Sequence, residues 1–472
     1  MEETHLRKRR QTVKLGLIKA IRDLFPGYQL KTAYSIQEGV FCNLSGSVLS
    51  EREVAQIRAK LGQWVAADHP IEFLRHEGGY YHYELDGFLI KALYPAETRS
   101  SMAEPFKVIP FSGGFIIDFG DVKSGGDTPL IPPARLAESY DKTQRWLRNI
   151  NIELVADVNV FMDTGRSLEL LGIAEALQEK EIADIADMIL AQRRALRVLL
   201  VSGPSSSGKT SFAQRLATQL KVNGLRPVPL SLDDYFVDRE KTPRDENGHY
   251  DFESLGALDL PLLQQQVTRL IEGEAVEIPC FDFVGGRRSA TTRSLRLGQG
   301  EILVIEGIHA LNPELLPNVN RNMCWKVYIN ALFQLNLDLM NRIPTTEVRL
   351  IRRIVRGDKF RGTHPEKTVG QWTSVRRGEY LHVFKYQEEA DAMFNSSMLY
   401  EMNALRPFAE ESLRKVSDSS KYAETRDRLL NLLGFFRPMD VSKVPYNSIL
   451  REFIGGSIYF DGDSIHGVRL PH

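Results

Sequence analysis

Cysteine is scarce: Cys42, Cys280 and Cys324 are the three in 472 residues, scattered without metal-ligand spacing. That excludes a disulfide scaffold and suits a reducing compartment. Long apolar runs are missing as well, so no helical membrane span and no membrane partner are expected. Residues 1–10 are highly charged and hold no apolar core of a secretion signal. Nor does one sign of charge dominate. The 60 Lys and Arg stand against 61 Asp and Glu, a formal net charge of −1, which removes any global argument for nucleic acid and makes any basic site a local one. No internal repeat or low-complexity tract is visible. The expectation is a soluble cytoplasmic protein with room for about three domains.

What is present is a dense motif at the middle of the chain. Residues 198–201 form an apolar run that reads as a buried strand, and Phe212, Leu216 and Leu220 follow at helical spacing. Between them stands Gly203-Pro204-Ser205-Ser206-Ser207-Gly208-Lys209-Thr210-Ser211, a P-loop in the strand-to-helix context that the motif requires. Gly203 and Gly208 let backbone N–H groups turn onto a phosphate at the helix N-terminus. Lys209 is then expected to reach the β- and γ-phosphates, and Thr210 to bind Mg²⁺. The whole stretch reads as the ATP-binding segment, with ATP and Mg²⁺ as cofactors.

Upstream, Val13, Leu17, Ala20, Ile21 and Leu24 share one helical face, and Pro26-Gly27 ends that helix. A short strand is expected at 39–44. Ser50 and Glu53 form a capping box before a second helix with a stripe of Val54, Ile57, Leu61, Trp64 and Val65. From 71 to 119 β-rich segments at 80–85, 88–93, 106–109 and 115–119 alternate with Gly-rich turns. Helices and strands are not interleaved as βαβ units, so residues 1–130 read as an α+β domain. A Gly- and Pro-rich loop at 123–133 is its exit, and 131–195 reads as a helical connector.

From 196 to 415 the pattern of strand, helix, strand argues a parallel α/β sheet flanked by helices, a P-loop NTPase domain, and 416–472 is taken as a C-terminal helical extension. A strand at 228–232 ends in Asp233-Asp234-Tyr235, beside the P-loop if the sheet is parallel. An acid there suits a base for an attacking hydroxyl or a ligand of Mg²⁺, and which of Asp233 and Asp234 fills that place is left open. Glu306 closes the strand at 302–307 and is the second metal candidate. Arg349, Arg352, Arg353 and Arg356 lie at i, i+3, i+4 and i+7, one helical face with only Glu347 in compensation on that helix. Such a face points to phosphate binding. Lys359 and Arg361, in the Gly-flanked stretch 357–362, read as a mobile lid bringing cations to the transferring group.

These motifs, with Phe281-Asp282-Phe283, Ile305-Glu306-Gly307 and Glu389-Ala390-Asp391, resemble the uridine kinase and phosphoribulokinase family over about residues 196–400. The resemblance implies a kinase in which Asp233 is the base and Lys209, Arg356 and Arg361 act on the phosphoryl group. It implies Tyr235, Glu253, Phe281 and Arg353 at the acceptor, with Asp233, and Thr210 with Glu306 at the metal. Where pyrimidine nucleoside kinases carry a tyrosine and a histidine toward the base, this chain has Phe281 and Gly286. The acceptor is therefore a nucleoside hydroxyl first, with a sugar, sugar phosphate or other small alcohol as the alternative. Residues 5–120, through Leu24-Phe25-Pro26 and Glu38-Gly39-Val40-Phe41-Cys42, resemble the editing-type domain of threonyl-tRNA synthetases, but Gln11 and Leu15 stand where the first metal histidines of that family fall. A hydrolytic metal site is not expected there. A second class, an ATP-switched protein gripping RNA or a partner, leaves nucleic acid open for the N-terminal domain alone. The oligomeric state is open too, a homo-oligomer included.

Overall fold

A computed structural model describes residues 2–36, 38–120, 133–246, 248–282, 285–459, 464–465 and 468–469. The first helix, α1 (Glu2–Leu24), begins well before the apolar stripe does. Its early turns are held by ion pairs to other elements, Arg7 to Glu347 at 2.7 Å and Arg10 to Glu38 at 2.6 Å. Local pattern does not show such partners. After β1 (Leu30–Ile36) and β2 (Gly39–Leu44) comes α2 (Glu51–Ala66), opened by the Ser50–Glu53 capping box and burying Val54, Ile57, Leu61 and Trp64. The Trp64 ring lies against Gly16 of α1, where a Cβ would collide with it.

Strands β3 (Glu72–Glu77), β4 (Tyr80–Leu85) and β5 (Phe88–Ala92) form one antiparallel sheet, and β6 (Lys107–Phe111) and β7 (Gly114–Asp118) join β1 and β2 in another, in the order β1-β2-β7-β6. These elements share a core built on α1 and α2, so a separate α+β unit precedes the parallel sheet. Most of the expected exit loop at 123–133 lies outside the described residues.

Helices α3 (Ala134–Asn149), α4 (Val155–Asp163) and α5 (Ser167–Ala191) fill the expected connector. Ile182, Ile185 and Ile189 of α5 pack with Phe212 and Leu216, and so α5 enters the core of the parallel sheet.

That sheet begins with β8 (Val198–Ser202), followed by α6 (Lys209–Val222), β9 (Arg226–Ser231), α7 (Leu260–Ile271) and the hairpin β10 (Ala275–Asp282) and β11 (Arg287–Arg296). It continues through β12 (Glu301–Glu306), β13 (Cys324–Asn330), α8 (Thr345–Phe360), α9 (Pro365–His382) and β14 (Ala392–Asn395). Five strands run parallel in the order β14-β13-β8-β12-β9. Both faces are covered by helices, which is why β8, β12 and β13 are nearly continuous apolar runs. α10 (Glu401–Leu413) packs on α8, α11 (Ala423–Gly434) packs on α10, and the short α12 (Arg451–Ile454) returns to α8. No described helix is long and apolar enough to cross a membrane.

Candidate active site

The site lies beyond the carboxyl ends of β8, β9 and β12, where a parallel sheet exposes its ligand crevice. The backbone at Gly203 approaches β13 so closely that a Cβ would collide with the Ile329 carbonyl oxygen. Gly208, at φ +83°, is the N-cap of α6, and Ser206 also takes a left-handed turn at φ +59°. A left-handed turn at the N-terminus of a helix is where backbone N–H groups can gather around an anion. Lys209 folds back over the loop, its ammonium donating to the Pro204 carbonyl at 3.1 Å. Burial lowers its pKa while Glu306 and Asp233 pull it upward.

Glu306 and Asp233 stand at the ends of neighbouring strands. Glu306 accepts from Ser231 Oγ at 2.8 Å and faces Thr210 Oγ1 at 3.5 Å. Burial, reinforced by Asp233, raises its pKa to about 7. An acid and a hydroxyl held this way, with a second carboxylate beside them, make an oxygen set suited to Mg²⁺. The two aspartates after β9 diverge. Asp233 lies in the field of Lys209, Glu306 and Arg361. Asp234 faces Arg293 and the Phe281 amide on the hairpin, and burial raises it to about 6.

The arginine face of α8 lies over the P-loop. Arg349 Nε donates to the Ser205 carbonyl at 2.9 Å and Arg352 Nη1 to the Ser206 carbonyl at 3.3 Å. Arg353 donates to Ser205 Oγ and Arg356 Nη2 to Ser206 Oγ at 3.3 Å. Compensation comes from carboxylates remote in sequence: Glu379 on α9 for Arg349, Glu401 on α10 for Arg352 at 2.5 Å, and Glu452 on α12 for Arg356 at 2.6 Å. The reading of this face as phosphate-binding is therefore corrected for Arg349 and Arg352, which are fully buried against the chain's own acids. Glu379 also accepts from the Ser205 amide at 2.9 Å, and Glu452 from Ser211 Oγ at 2.9 Å. Helices α9 and α12 thus set the loop's position.

The lid reading is corrected as well. α8 continues to Phe360, so Gly357 is helical, and Lys359 donates to the Ile454 carbonyl at 2.6 Å with Phe408 beneath its ammonium. Arg361 sits just past the helix, where Arg356 and then burial lower its pKa to about 9 while Asp233 supports its charge.

Of the residues expected at the acceptor, Glu253 and Arg353 are drawn together. Burial raises Glu253 to about 7, and its side chain packs on Gly378, where a Cβ would collide with it. Phe281 packs its ring 5.7 Å from that of Phe236. Tyr235 is the exception: it is fully buried in the core, with its hydroxyl donating to Gln266 at 2.7 Å, and so cannot face an acceptor. Sequence reasoning missed His309, which follows β12, is buried near the Ser254 backbone, and has its ring 5.9 Å from that of His382. Burial and then His382 push it down to about 3, a neutral imidazole. The only sequence signal for it is its place three residues after Glu306.

Residues 198–400 match the profile of the Phosphoribulokinase / Uridine kinase family. The chain carries a P-loop kinase domain of this family. A uridine kinase of Deinococcus deserti is 29% identical over 184 residues, 39% of this chain and 79% of the relative. One from Lactobacillus helveticus is 27% identical over 183 residues, 39% of this chain and 78% of the relative. Among solved structures, that of a "Possible Uridine Kinase" from Bacillus stearothermophilus aligns at 21% identity with a TM-score of 0.32, covering 46% of this chain and 98% of that one. By its kinase domain the chain is an ATP-dependent kinase.

Proposed function

We propose that the chain transfers the γ-phosphoryl group of Mg-ATP to a hydroxyl of a small molecule, a nucleoside first, in the cytoplasm. One observation carries the reading: Glu306 at the end of β12 and Asp233 just past the end of the adjacent β9 both act on the Lys209 ammonium. Residues 203–211 hold the ATP phosphates. Thr210 and Glu306 hold Mg²⁺, which when bound supplies charge neutralisation to the β- and γ-phosphates. Asp233 takes the proton of the attacking hydroxyl, and Lys209, Arg356 and Arg361 face the developing charge. Glu253 and Arg353 hold the acceptor's other hydroxyls, and Asp234, turned toward the hairpin, is not the base.

Phe281 favours a second reading of the acceptor. Its ring lies tilted against that of Phe236, and a phenyl ring offers no hydrogen bond, so an apolar wall there discriminates weakly among bases. A sugar, sugar phosphate or other small alcohol fits that wall as well. The N-terminal residues, similar in element order to an editing-type domain, are read as a non-hydrolytic unit, since the resemblance places its first metal histidines at Gln11 and Leu15.

The test is ATP turnover against a panel of nucleosides, sugars, sugar phosphates and small alcohols, run beside Asp233→Asn. One acceptor should stimulate ADP release, and the variant should lose about 10²–10⁴-fold in rate while still binding ATP. An unchanged rate in Asp233→Asn, or ATP binding with no acceptor phosphorylated, would overturn the reading.

A further inference from the structure

Between α1, β1, β2 and the kinase helices α8 and α9 lies a cavity of about 250 Å³ that no P-loop residue lines. Its charged lining is one-sided: Arg7, Arg10, Lys14, Arg342 and Arg376 against Glu38. Arg10 is answered by Glu38 at 2.6 Å, Arg7 by Glu347 at 2.7 Å and Arg376 by Glu379 at 3.1 Å. Arg342 and Lys14 are not answered. Arg342 is 7% exposed and gives one nitrogen to Ser35, but its Nη1 has no hydrogen-bond partner among the described residues. Lys14 makes no hydrogen bond or ion pair there, with Asp338 its largest favourable electrostatic partner. A buried arginine without a carboxylate is costly, and the half-buried lysine beside it adds to that cost, so an anion between the two would relieve both. The remaining wall mixes apolar and aromatic side chains, Tyr94, Phe119 and Trp372 among them, with uncharged polar ones such as Gln11 and Thr346.

We propose that this cavity is a second ligand site, distinct from the P-loop, for a small organic acid: a carboxylate or phosphate group between Lys14 and Arg342, with a compact ring or aliphatic body against the aromatic wall. Pockets that enclose drug-sized ligands run about 300–1,000 Å³, so a cavity of about 250 Å³ takes a small molecule and excludes a polynucleotide. The site also has a physical connection to the kinase centre. Arg376 on its wall holds Glu379 at 3.1 Å, and Glu379 accepts from the Ser205 amide of the P-loop at 2.9 Å.

The experiment titrates the full chain, saturated with Mg²⁺ and a non-hydrolysable ATP analogue, by calorimetry with benzoate, phenyl phosphate and neutral benzyl alcohol. At least one acid should bind one-to-one and about tenfold more tightly than the alcohol, and whichever binds names the acidic group. Lys14→Met should weaken that binding about tenfold. Thr373→Trp, at an exposed position on the rim, should do the same by blocking entry, and it serves alone if Lys14→Met does not fold. Neither acid outdoing the alcohol, or acid binding unchanged in the folded variants, would overturn the proposal.

Discussion

The two basic regions of this protein handle positive charge in opposite ways. Around the P-loop, Arg349, Arg352 and Arg356 meet Glu379, Glu401 and Glu452, and Lys209 lies between Glu306 and Asp233. In the cavity against α1, Lys14 and Arg342 have no carboxylate within ion-pair reach among the described residues. The first arrangement lets the loop hold its shape before any phosphate arrives, because arginines clamp its carbonyls and acids neutralise the arginines. The second leaves a net positive interior that only a ligand or water can answer. Local sequence shows arginines and lysines in both places; the third dimension decides which are structural and which are open.

Removing an acid from the matched region should have the largest effect. Glu401→Gln leaves Arg352 fully buried without its partner and should cost about 3–5 kcal/mol in denaturant unfolding. The paired change Arg352→Met with Glu401→Leu should recover most of that loss, because no lone charge remains. A loss in Glu401→Gln of under about 1 kcal/mol, the range of a solvated pair, would show that this ion pair is not dry.

What the sequence made legible follows from how local each signal is. The P-loop and its flanking elements were readable because strand, glycine turns and helix occur within about 25 residues and each has its own chemistry. The Ser50 cap was readable for the same reason, since its partner Glu53 is one turn away. β1 was not expected: Lys31, Thr32 and Ser35 interrupt its apolar alternation, and Thr32 is buried only because its hydroxyl donates to the Met340 carbonyl at 2.6 Å. The partners of α8 could not be read because Glu379, Glu401 and Glu452 come from three later helices. Gly357 suggested a hinge, yet it sits inside α8 facing Thr368, where a Cβ would come within 3.3 Å of the Thr368 hydroxyl. Tyr235 follows Asp233 and Asp234 in sequence, but the turn after β9 sends its ring into the core.

Glu253 sharpens the comparison from within the kinase region, as an acid present in excess. Its carboxyl is raised to about 7 by burial, against about 4.3 in an unfolded chain. The folded state therefore binds more protons between those two values, and stability should fall as pH rises through that window. Glu253→Gln should match the parent near pH 4 and be more stable above pH 7, by on the order of 1–3 kcal/mol, in urea melts across pH. Equal pH slopes for the two proteins would remove Glu253 from the account.

Lys14 gives the smallest effect and the clearest contrast, because losing a cation should here be favourable. Burial lowers its pKa to about 8, against about 10.4 unfolded. A lowered lysine penalises the fold fully below its folded pKa, and stability returns as pH rises from about 8 to 10.4. Lys14 is only half-buried, so cavity water screens part of the penalty. Without ligand, Lys14→Met should then gain on the order of 1 kcal/mol at pH 7, the gain shrinking toward pH 10 in chemical denaturation. Under saturating organic acid the sign should reverse, since a ligand bound about tenfold more tightly stabilises the parent by about 1.4 kcal/mol more than the variant. A parent protein more stable than the variant at pH 7 with no acid present would mean that Lys14 is already paired, and the cavity would then be matched like the P-loop.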